Sequence, residues 1–350
     1  MQRICRTLAA AGYRVTLVGR RLPRSPALVE EPYEQHRLRC RYHRGKLFYL
    51  EYNWRLYHFL RKHPSAIVNA VDLDTLAAAC EAARATGARV VYDAHEYFSE
   101  TPEVVRRPLV RALWEWVAER YIPKCAAAYT VGEALAAQLQ ARYALPFGVV
   151  RNTAVHRPVA PIERVYPPVV LYQGALNEGR GLPELLRALP AVPNVDCWIV
   201  GEGDLSDHLR GLARRLRLTE RIKFWGRLPP GELPALTRQA WLGYNLLENR
   251  GKSYFYSLSN KTFDYYQAGL PALHPAFPEY RRLAARYGGI RLVPDLSEER
   301  IALEINSLLR DEPTYTQLRR DCAAAAGALH WARDAAKLRT IYADLISSSK

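Results

Sequence analysis

The sequence has few cysteines and no long apolar run. No stretch of its 350 residues approaches the roughly 18 consecutive apolar residues of a membrane span, and no signal-peptide pattern opens the chain. The six cysteines are scattered, mostly within apolar runs, and lack the spacing of metal ligands. We found no short internal repeat and no low-complexity segment. These absences predict a cytoplasmic protein with reduced thiols and without transmembrane helices.

The composition is that of a globular chain, with 49% hydrophobic and 24% charged residues. A length of 350 residues favours two domains over a single core. The net charge is +15, and residues 1–65 alone contribute 14 Lys/Arg against 4 Asp/Glu. Aromatic residues alternate with basic ones in segment 37–62, which suits contact with nucleic acid, an anionic membrane or a phosphorylated acceptor. It equally suits a helix that buries its aromatic side chains and leaves its charges in solvent.

Short apolar runs alternate with helical patterns along the chain. Strands are predicted at 14–19, 66–70, 89–92, 126–131, 148–152, 169–174, 195–200, 222–225, 242–247 and 270–273. Such alternation indicates parallel sheets covered by helices on both faces. Four prolines in segment 153–168 mark an interdomain linker. The sequence therefore predicts an α/β protein of two Rossmann-like domains that face a cleft.

The beginning of the chain departs from this pattern. A helix over 2–12 comes before the first predicted strand, whereas a doubly wound domain starts with a strand and a loop. We therefore expect that the first strand of the N-terminal domain is missing, or that another segment fills a central position in the sheet.

Ligands of parallel sheets bind at the carboxyl ends of the strands, and this rule selects four loops in the second half, of which the fourth leads into Asn260 and Lys261. The other three are as follows. The loop Gly174–Gly181 contains Arg180 immediately before a helix, and its amides and guanidinium could hold a diphosphate. Gly201-Glu-Gly203 and the strand end at Arg227 and Leu228 are weaker candidates, the latter for contacting a nucleobase. Each of these first three loops also fits an ordinary turn or strand end.

A short helix after Ser259 provides a further candidate site. Ser259 and Asn260 are both good N-cap residues, and Gly269 is suited to the C-terminal end. Lys261 falls in the first turn, where free amides and the helix dipole favour an anion. Asp264 lies on the same face, so the pair suits a phosphate beside a sugar with vicinal hydroxyls. A solvated surface ion pair is the alternative.

In the first half, His95 follows a predicted strand and is flanked by Asp93 and Glu96. A single histidine is often structural, but a strand end is where the sheet places function. His95 could act as a general base, could stabilise an oxyanion or could donate a hydrogen bond to a sugar hydroxyl. A metal site is not expected, since no matching ligands occur elsewhere.

Five motifs in order resemble the retaining GT-B glycosyltransferases of family 4, over nearly the whole chain. They are Val91-Tyr-Asp-Ala-His-Glu96, Tyr172-Gln-Gly-Ala-Leu-Asn-Glu-Gly-Arg-Gly181, Gly201-Glu-Gly203, Phe224-Trp-Gly226 and Ser259-Asn-Lys-Thr-Phe-Asp-Tyr-Tyr-Gln-Ala-Gly-Leu-Pro271. The resemblance implies transfer of a sugar from a nucleotide sugar with retention of configuration, without a metal or other cofactor. It divides the chain into an acceptor domain (1–155), a nucleotide-sugar domain (156–330) and a closing helix (331–350) that returns to the first domain.

The resemblance also implies roles for single residues. Arg180 and Lys261 would hold the donor diphosphate and neutralise the leaving group, and Asp264 would bind the ribose hydroxyls in place of the usual Glu. Backbone groups near Arg227 and Leu228 would contact the base, and the glycines Gly174, Gly181 and Gly203 would line the donor site. His95 would lie near the transferred sugar, with Asp93 and Glu96 on the acceptor side.

Two features depart from the family pattern. Tyr256 stands eight positions before Asp264, where the family has a Glu, so the acid that contacts the donor sugar is missing or displaced, with Glu248 as a candidate. The opening strand and its glycine loop are also absent, and we expect a chain without them to be less stable or inactive.

Three functions follow from these observations, in order of preference. The first is a glycosyltransferase of cell-surface polysaccharide or glycolipid synthesis, acting on a glycan or lipid-linked acceptor. It would be cytoplasmic, with segment 37–62 available for peripheral contact with the anionic inner face of a membrane. The second is a nucleotide-sugar 2-epimerase on the same fold, which would need additional acids near the sugar. The third is a basic nucleic-acid-binding protein, but no recognition motif supports it and no nucleic-acid partner is expected.

Overall fold

A computed structural model describes residues 1–23, 25–156 and 164–347. The chain divides into two compact units, one formed by Met1–Arg151 with Asp334–Lys350 and the other by Asn152–Arg333. The second unit is one parallel sheet flanked by helices, whereas the described strands of the first unit form two parallel sheets. The predicted linker 153–168 falls partly on residues 157–163, which lie outside the described residues.

In the first unit, strands and helices alternate from α1 to β6, except that β2 directly follows β1 and α5 directly follows α4. The elements are α1 (Gln2–Ala10), β1 (Thr16–Arg21), β2 (Glu34–Arg39), α2 (Gly45–Lys62), β3 (Ile67–Val71), α3 (Leu73–Thr86), β4 (Arg89–Ala94), α4 (Pro102–Val105), α5 (Pro108–Tyr121), β5 (Ala127–Thr130), α6 (Glu133–Tyr143) and β6 (Phe147–Val149). Short 3₁₀ turns occur at Phe98–Glu100 and Ile122–Lys124. The described strands form two separate sheets, β1-β2 and β3-β4-β5-β6.

The second unit repeats the alternation and forms one six-stranded sheet in the order β12-β11-β10-β7-β8-β9. Its elements are β7 (Val169–Gln173), α7 (Leu182–Ala188), β8 (Asp196–Val200), α8 (Ser206–Arg215), β9 (Ile222–Gly226), α9 (Leu233–Gln239), β10 (Leu242–Tyr244), α10 (Lys252–Phe255), α11 (Asn260–Gln267), β11 (Ala272–Pro275), α12 (Pro278–Tyr287), β12 (Ile290–Val293), α13 (Glu298–Arg310) and α14 (Glu312–Ala328), with a 3₁₀ turn at Leu189–Ala191. The last helix, α15 (Trp331–Ser347), belongs from Asp334 onward to the first unit, where the Arg89 guanidinium donates to the Leu345 carbonyl.

All strand pairs are parallel, as the alternation predicts. The central strand β7 is buried along its whole length, with Val170 and Leu171 at 0% exposure. Its residues read as a continuous apolar run because helices cover both faces of a parallel sheet. This burial fixes the position of the loop that follows β7.

Two strands, β2 and β12, were not predicted from the sequence, and both lie at the edge of a sheet. Strand β2 has the sequence Glu-Gln-His-Arg-Leu-Arg, which contains a single apolar residue, and β12 falls in a region expected to be mostly helical. Edge strands face solvent and need little apolar patterning. The predicted strand 242–247 is shorter in the structure, where β10 ends at Tyr244.

Candidate functional site

The carboxyl ends of β7, β8 and β9 carry glycines that bring three loops together. The Gly174 amide donates to the Val200 carbonyl at 2.9 Å, and the Gly201 amide donates to the Gly226 carbonyl at 2.8 Å. A Cβ at Gly201 would lie 1.9 Å from the Gly174 carbonyl oxygen, so no other residue fits there. Similarly, a Cβ at Gly203 would lie 2.4 Å from the Asn177 side chain. The glycines therefore let the loops pack on one another above the sheet.

Lys261 points from the first turn of α11 to the end of β7. Its ammonium lies 3.7 Å from the centre of the Tyr172 ring and 3.4 Å from the position that a Cβ would occupy at Gly174. The residue is only 8% exposed. Burial lowers the pKa of Lys261 well below its usual value, the charge of Arg180 lowers it further, and Asp264 opposes this only in part. A buried cation of this kind is suited to an anionic ligand.

Arg180 supplies a second positive charge at the same place. Its guanidinium lies 5.0 Å from the centre of the Tyr254 ring, and its Nε is buried without a hydrogen-bond partner among the described residues. A buried guanidinium nitrogen without an acceptor costs free energy, which a bound oxyanion would recover. The charge of Arg180 acts on Lys261, whose pKa it lowers, and the binding of a diphosphate by the two residues stays a prediction.

The N-terminus of α11 has its own capacity for an anion. Ser259 is the N-cap residue, but its hydroxyl does not bond to the amides of the first turn. Instead, the Ser259 amide donates to the Tyr280 hydroxyl at 3.1 Å, and the Thr262 hydroxyl lies 3.1 Å from His274 Nε2. These contacts fix the helix end without using the first-turn amides, of which that of Thr262 donates to the Ser259 carbonyl at 3.1 Å.

Asp264 is oriented by a chain of polar contacts. Gln173 donates to the Asp264 carboxylate at 3.1 Å and accepts from the Thr237 hydroxyl at 2.8 Å. The carboxylate is thereby held beside the end of β7, close enough to Lys261 for its charge to oppose part of the lowering of the Lys261 pKa.

Gly181 precedes α7 as its N-cap residue and has a left-handed conformation (φ 61°). Arg227 and Leu228 directly follow β9, whose last residue, Gly226, accepts from the Gly201 amide, and their contact with a nucleobase stays a prediction.

The acid suggested as a substitute for the family's Glu is already paired. Glu248 contacts the Arg250 guanidinium, which also pairs with Glu178 at 3.0 Å. Tyr256, at the position of the family's acid, directly follows α10 and contacts the Phe255 ring. A role for Glu248 at the donor sugar stays a prediction.

In the first unit, His95 lies at the end of β4 within a group of acids. Its Nε2 is 3.3 Å from the buried Asp93 carboxylate, which also accepts from the Tyr129 hydroxyl at 3.0 Å. The Asp72 carboxylate accepts from the His95 amide at 2.8 Å. Burial lowers the pKa of His95, but the carboxylates of Asp93 and Asp72 outweigh it, so the net pKa is raised. Glu96 also donates its amide to Asp72.

Asp72 and Asp74 are functional candidates that the sequence did not single out. Burial raises the pKa of both carboxyls to about 6. At Asp72, the nearby His95 lowers the pKa and so offsets part of this effect. Asp72 has a positive φ of 56°, which is uncommon for a residue with a side chain. Their position directly after β3 is the signal that could have identified them, because the same rule selected His95.

Comparisons with known proteins follow the division of the chain. Residues 1–159 match the family described as Glycosyltransferase Family 4, and residues 161–326 match the family described as Glycosyl transferases group 1. Together the two matches leave little of the chain unassigned. The chain is a GT-B glycosyltransferase of family 4, group 1 type.

Solved structures share the fold of this glycosyltransferase at low sequence identity. Sucrose-phosphate synthase from Thermosynechococcus elongatus has a TM-score of 0.81 at 17% identity, covering 99% of this chain and 92% of that one. WaaG, a glycosyltransferase involved in lipopolysaccharide biosynthesis, has a TM-score of 0.73 at 16% identity, covering 97% and 94%. Anabaena HepE, solved in complex with UDP-glucose, has a TM-score of 0.72 at 15% identity, covering 89% and 86%.

One curated relative matches over a short stretch. A lipopolysaccharide core biosynthesis glycosyltransferase, LpsE of Rhizobium meliloti (strain 1021), is 36% identical over 59 residues. The stretch covers 17% of the glycosyltransferase described here and 17% of the relative. In the described part of the chain, no helix is both long and apolar enough to cross a bilayer, and no group of three or more His, Cys, Asp or Glu side chains could hold a metal ion.

Proposed function

We propose that this glycosyltransferase moves a sugar from a nucleotide-sugar donor to a glycan or lipid-linked acceptor, with retention of anomeric configuration. The observation that carries the proposal is the pair of cations at the end of β7. The Lys261 ammonium is buried against Tyr172, and the Arg180 Nε has no acceptor among the described residues. A diphosphate would supply the negative charge that this pair favours.

The chemistry of the leaving group follows from these charges. As the bond between the sugar and the diphosphate breaks, negative charge develops on the phosphate oxygens. Lys261, Arg180 and the first-turn amides of α11 would stabilise that charge without a metal ion. Asp264, held by Gln173, would accept hydrogen bonds from the ribose hydroxyls. Backbone groups near Arg227 and Leu228 would contact the base.

The first unit would serve the acceptor. Asp93 and Glu96 would bind acceptor hydroxyls, and His95 would act near the transferred sugar, where its raised pKa favours the protonated form as a hydrogen-bond donor. The names of WaaG and LpsE support an acceptor in lipopolysaccharide or a related surface glycan.

We also propose peripheral contact of the first unit with the anionic inner face of a membrane. On α2, Leu47, Leu50 and Trp54 are exposed along one helix face. On α5, the exposed apolar residues are Leu109, Val110, Leu113 and Trp116. A Tyr49–Trp114 ring contact of 5.3 Å joins the two helices. Exposed apolar side chains within a strongly basic region are typical of interfacial helices.

Product analysis with nucleotide sugars tests the proposed reaction. With a glycan acceptor, NMR of the product should show the anomeric configuration of the donor, whereas an inverted product would contradict retention. Without an acceptor, a labelled nucleotide sugar should undergo only slow hydrolysis. Release of a free epimer would instead favour the nucleotide-sugar 2-epimerase.

A further inference from the structure

The segment from Glu248 to Tyr256, which we call the clasp, lies against the glycine loop that follows β7. The Glu248 amide donates to the Gly179 carbonyl at 3.0 Å. The Arg250 guanidinium pairs with the Glu178 carboxylate, also at 3.0 Å. Both the backbone and a side chain therefore join the clasp to two consecutive residues of the loop.

The ring of Tyr254, in the middle of the clasp, contacts the same part of the loop. A Cβ at Gly179 would lie 2.8 Å from this ring, so a larger residue there would push the ring away. The Tyr254 hydroxyl donates to the Glu178 carbonyl at 3.4 Å. The Arg180 guanidinium lies 5.0 Å from the centre of the ring. One tyrosine thus contacts three consecutive residues of the loop.

The clasp is itself anchored within the second unit. The Tyr254 carbonyl accepts from the Ser257 hydroxyl at 2.8 Å and from the Ser257 amide at 3.2 Å. The ring of the next residue, Phe255, lies 5.2 Å from the ring of Phe277, which precedes α12. These contacts fix the backbone at Tyr254 and so limit where its ring can lie.

An aromatic ring holds a cation without neutralising it. A carboxylate would take up N–H donors of a guanidinium and cancel its charge, whereas the face of a ring attracts the cation and leaves those donors available. The acid of this loop, Glu178, pairs with Arg250 instead. Accordingly, the Nε of Arg180 has no hydrogen-bond partner among the described residues. The donors of Arg180 are thereby kept for a ligand.

The second cation at the end of β7 is supported in the same manner. Lys261 lies over the ring of Tyr172, whose hydroxyl donates to the Ala175 carbonyl at 2.6 Å. Burial raises the pKa of Tyr172 to about 12, and the charge of Arg180 opposes this rise, so Arg180 lies close to this second pair. Two tyrosines therefore each support a cation with the ring and bond to the same loop with the hydroxyl.

We propose that Tyr254 is a positioning residue that holds the Arg180 guanidinium in place for the donor diphosphate, an inference that rests on the proposed function. A guanidinium that is already held loses less side-chain entropy when the diphosphate binds. The ring is the part that matters for this role, because it contacts Arg180 directly. The hydroxyl contributes less, since its bond to the Glu178 carbonyl is long at 3.4 Å.

Calorimetric titration with UDP, ADP and GDP provides the first test. Tyr254→Leu removes the ring and should weaken binding about five- to tenfold. Tyr254→Phe keeps the ring and should bind as the parent does. In an Arg180→Leu background, Tyr254→Leu should cause no further loss, because the ring then has no cation to hold. Additive losses, no loss in Tyr254→Leu, or equal losses in the Leu and Phe variants would overturn the proposal.

A matched control is available elsewhere in the second unit. Tyr287→Leu, at the end of α12, removes a half-buried ring that lies 5.3 Å from the Arg286 guanidinium, and it should bind nucleotides as the parent does. The melting temperatures of the two Leu variants show whether a loss of affinity reflects general destabilisation. If Tyr254→Leu does not fold, Tyr254→Met is measured in its place.

NMR of the Arg180 side chain tests the positioning role without any ligand. Its Nε–H signal is assigned by its disappearance in Arg180→Leu. Tyr254→Leu should remove the ring-current shift of this signal, whereas Tyr254→Phe should retain it. A signal that is unchanged in Tyr254→Leu would overturn the proposal. A parent chain that binds none of the nucleotides would contradict the proposed function, and the NMR result would then decide whether Tyr254 fixes Arg180.

Discussion

The two sheets of this glycosyltransferase differ at the centre, and the difference shows what a central strand provides. In the second unit, β7 is fully buried between two neighbours, and its loop brings Gly174 and Arg180 to Lys261. In the first unit, no strand of the described residues joins β1 to β3, and the acidic group of Asp72 and Asp74 borders the cavity between these two strands. The central strand thus stabilises the sheet and also delivers the loop that completes a polar site.

The units also differ in where they place apolar surface. Among the described residues, all but three of the fifteen exposed large apolar side chains lie in the first unit. The second unit instead buries its apolar residues and keeps two cations at the end of β7. The contrast favours our proposals that the second unit binds the nucleotide-sugar donor and that the first unit contacts a membrane surface.

The largest expected effect tests the cation pair of the second unit. Lys261→Met keeps the length of the side chain but removes its charge, so turnover should fall about 10²–10³-fold, or about 3–4 kcal/mol of transition-state stabilisation. The melting temperature should not fall, because the variant removes a buried charge. Nucleoside diphosphate release measures the rate, and Lys124→Ala, at an exposed lysine of the first unit, is the control. Turnover close to that of the parent would remove the phosphate assignment.

An intermediate effect tests the acidic group of Asp72 and Asp74, which follows β3. The folded-state pKa of Asp74 is about 6, above its ordinary value of 3.8, so its contribution to stability is present below about pH 4 and is lost as the pH rises through 6. Asp74→Asn resembles the protonated form. We expect it to be more stable than the parent by about 1–3 kcal/mol at pH 7.5 and equal at pH 4.

Denaturant unfolding at the two pH values measures this difference. Asp207→Asn, at an exposed position of α8, should show no pH-dependent gain. A difference that is the same at both pH values would contradict the electrostatic explanation.

The smallest expected effect tests the apolar surface of the first unit. A Trp54→Ala, Trp116→Ala double variant should bind anionic vesicles about tenfold more weakly, because two exposed indoles no longer enter the interface. Vesicle flotation at low and high salt provides the measurement, and Leu303→Ala, an exposed apolar position of the second unit, is the control. Unchanged flotation of the double variant would exclude this surface from membrane contact.

Much of the fold is predictable from the sequence, because buried parallel strands appear as short apolar runs. The strand at β7 and the helix that starts after Ser259 agree with their predicted bounds to within two residues. The edge strand β2 could not be predicted, because its pairing with β1 depends on the backbone and not on an apolar pattern.

The candidate site is predictable in part for a related reason. Local signals identify Lys261 and Arg180, since glycines and helix caps mark where amides are free. The ring of Tyr172 under Lys261 and the Gln173–Thr237 contact depend on distant parts of the chain. No local pattern encodes such contacts, so the structure was needed to find them.

Calorimetric titration with nucleoside diphosphates tests the central claim most directly. The account predicts that ADP, GDP or UDP binds the parent chain, and that both Lys261→Met and Arg180→Leu weaken binding at least tenfold without lowering the melting temperature. If none of these nucleotides binds, or if both variants bind as tightly as the parent, the end of β7 is not a diphosphate site.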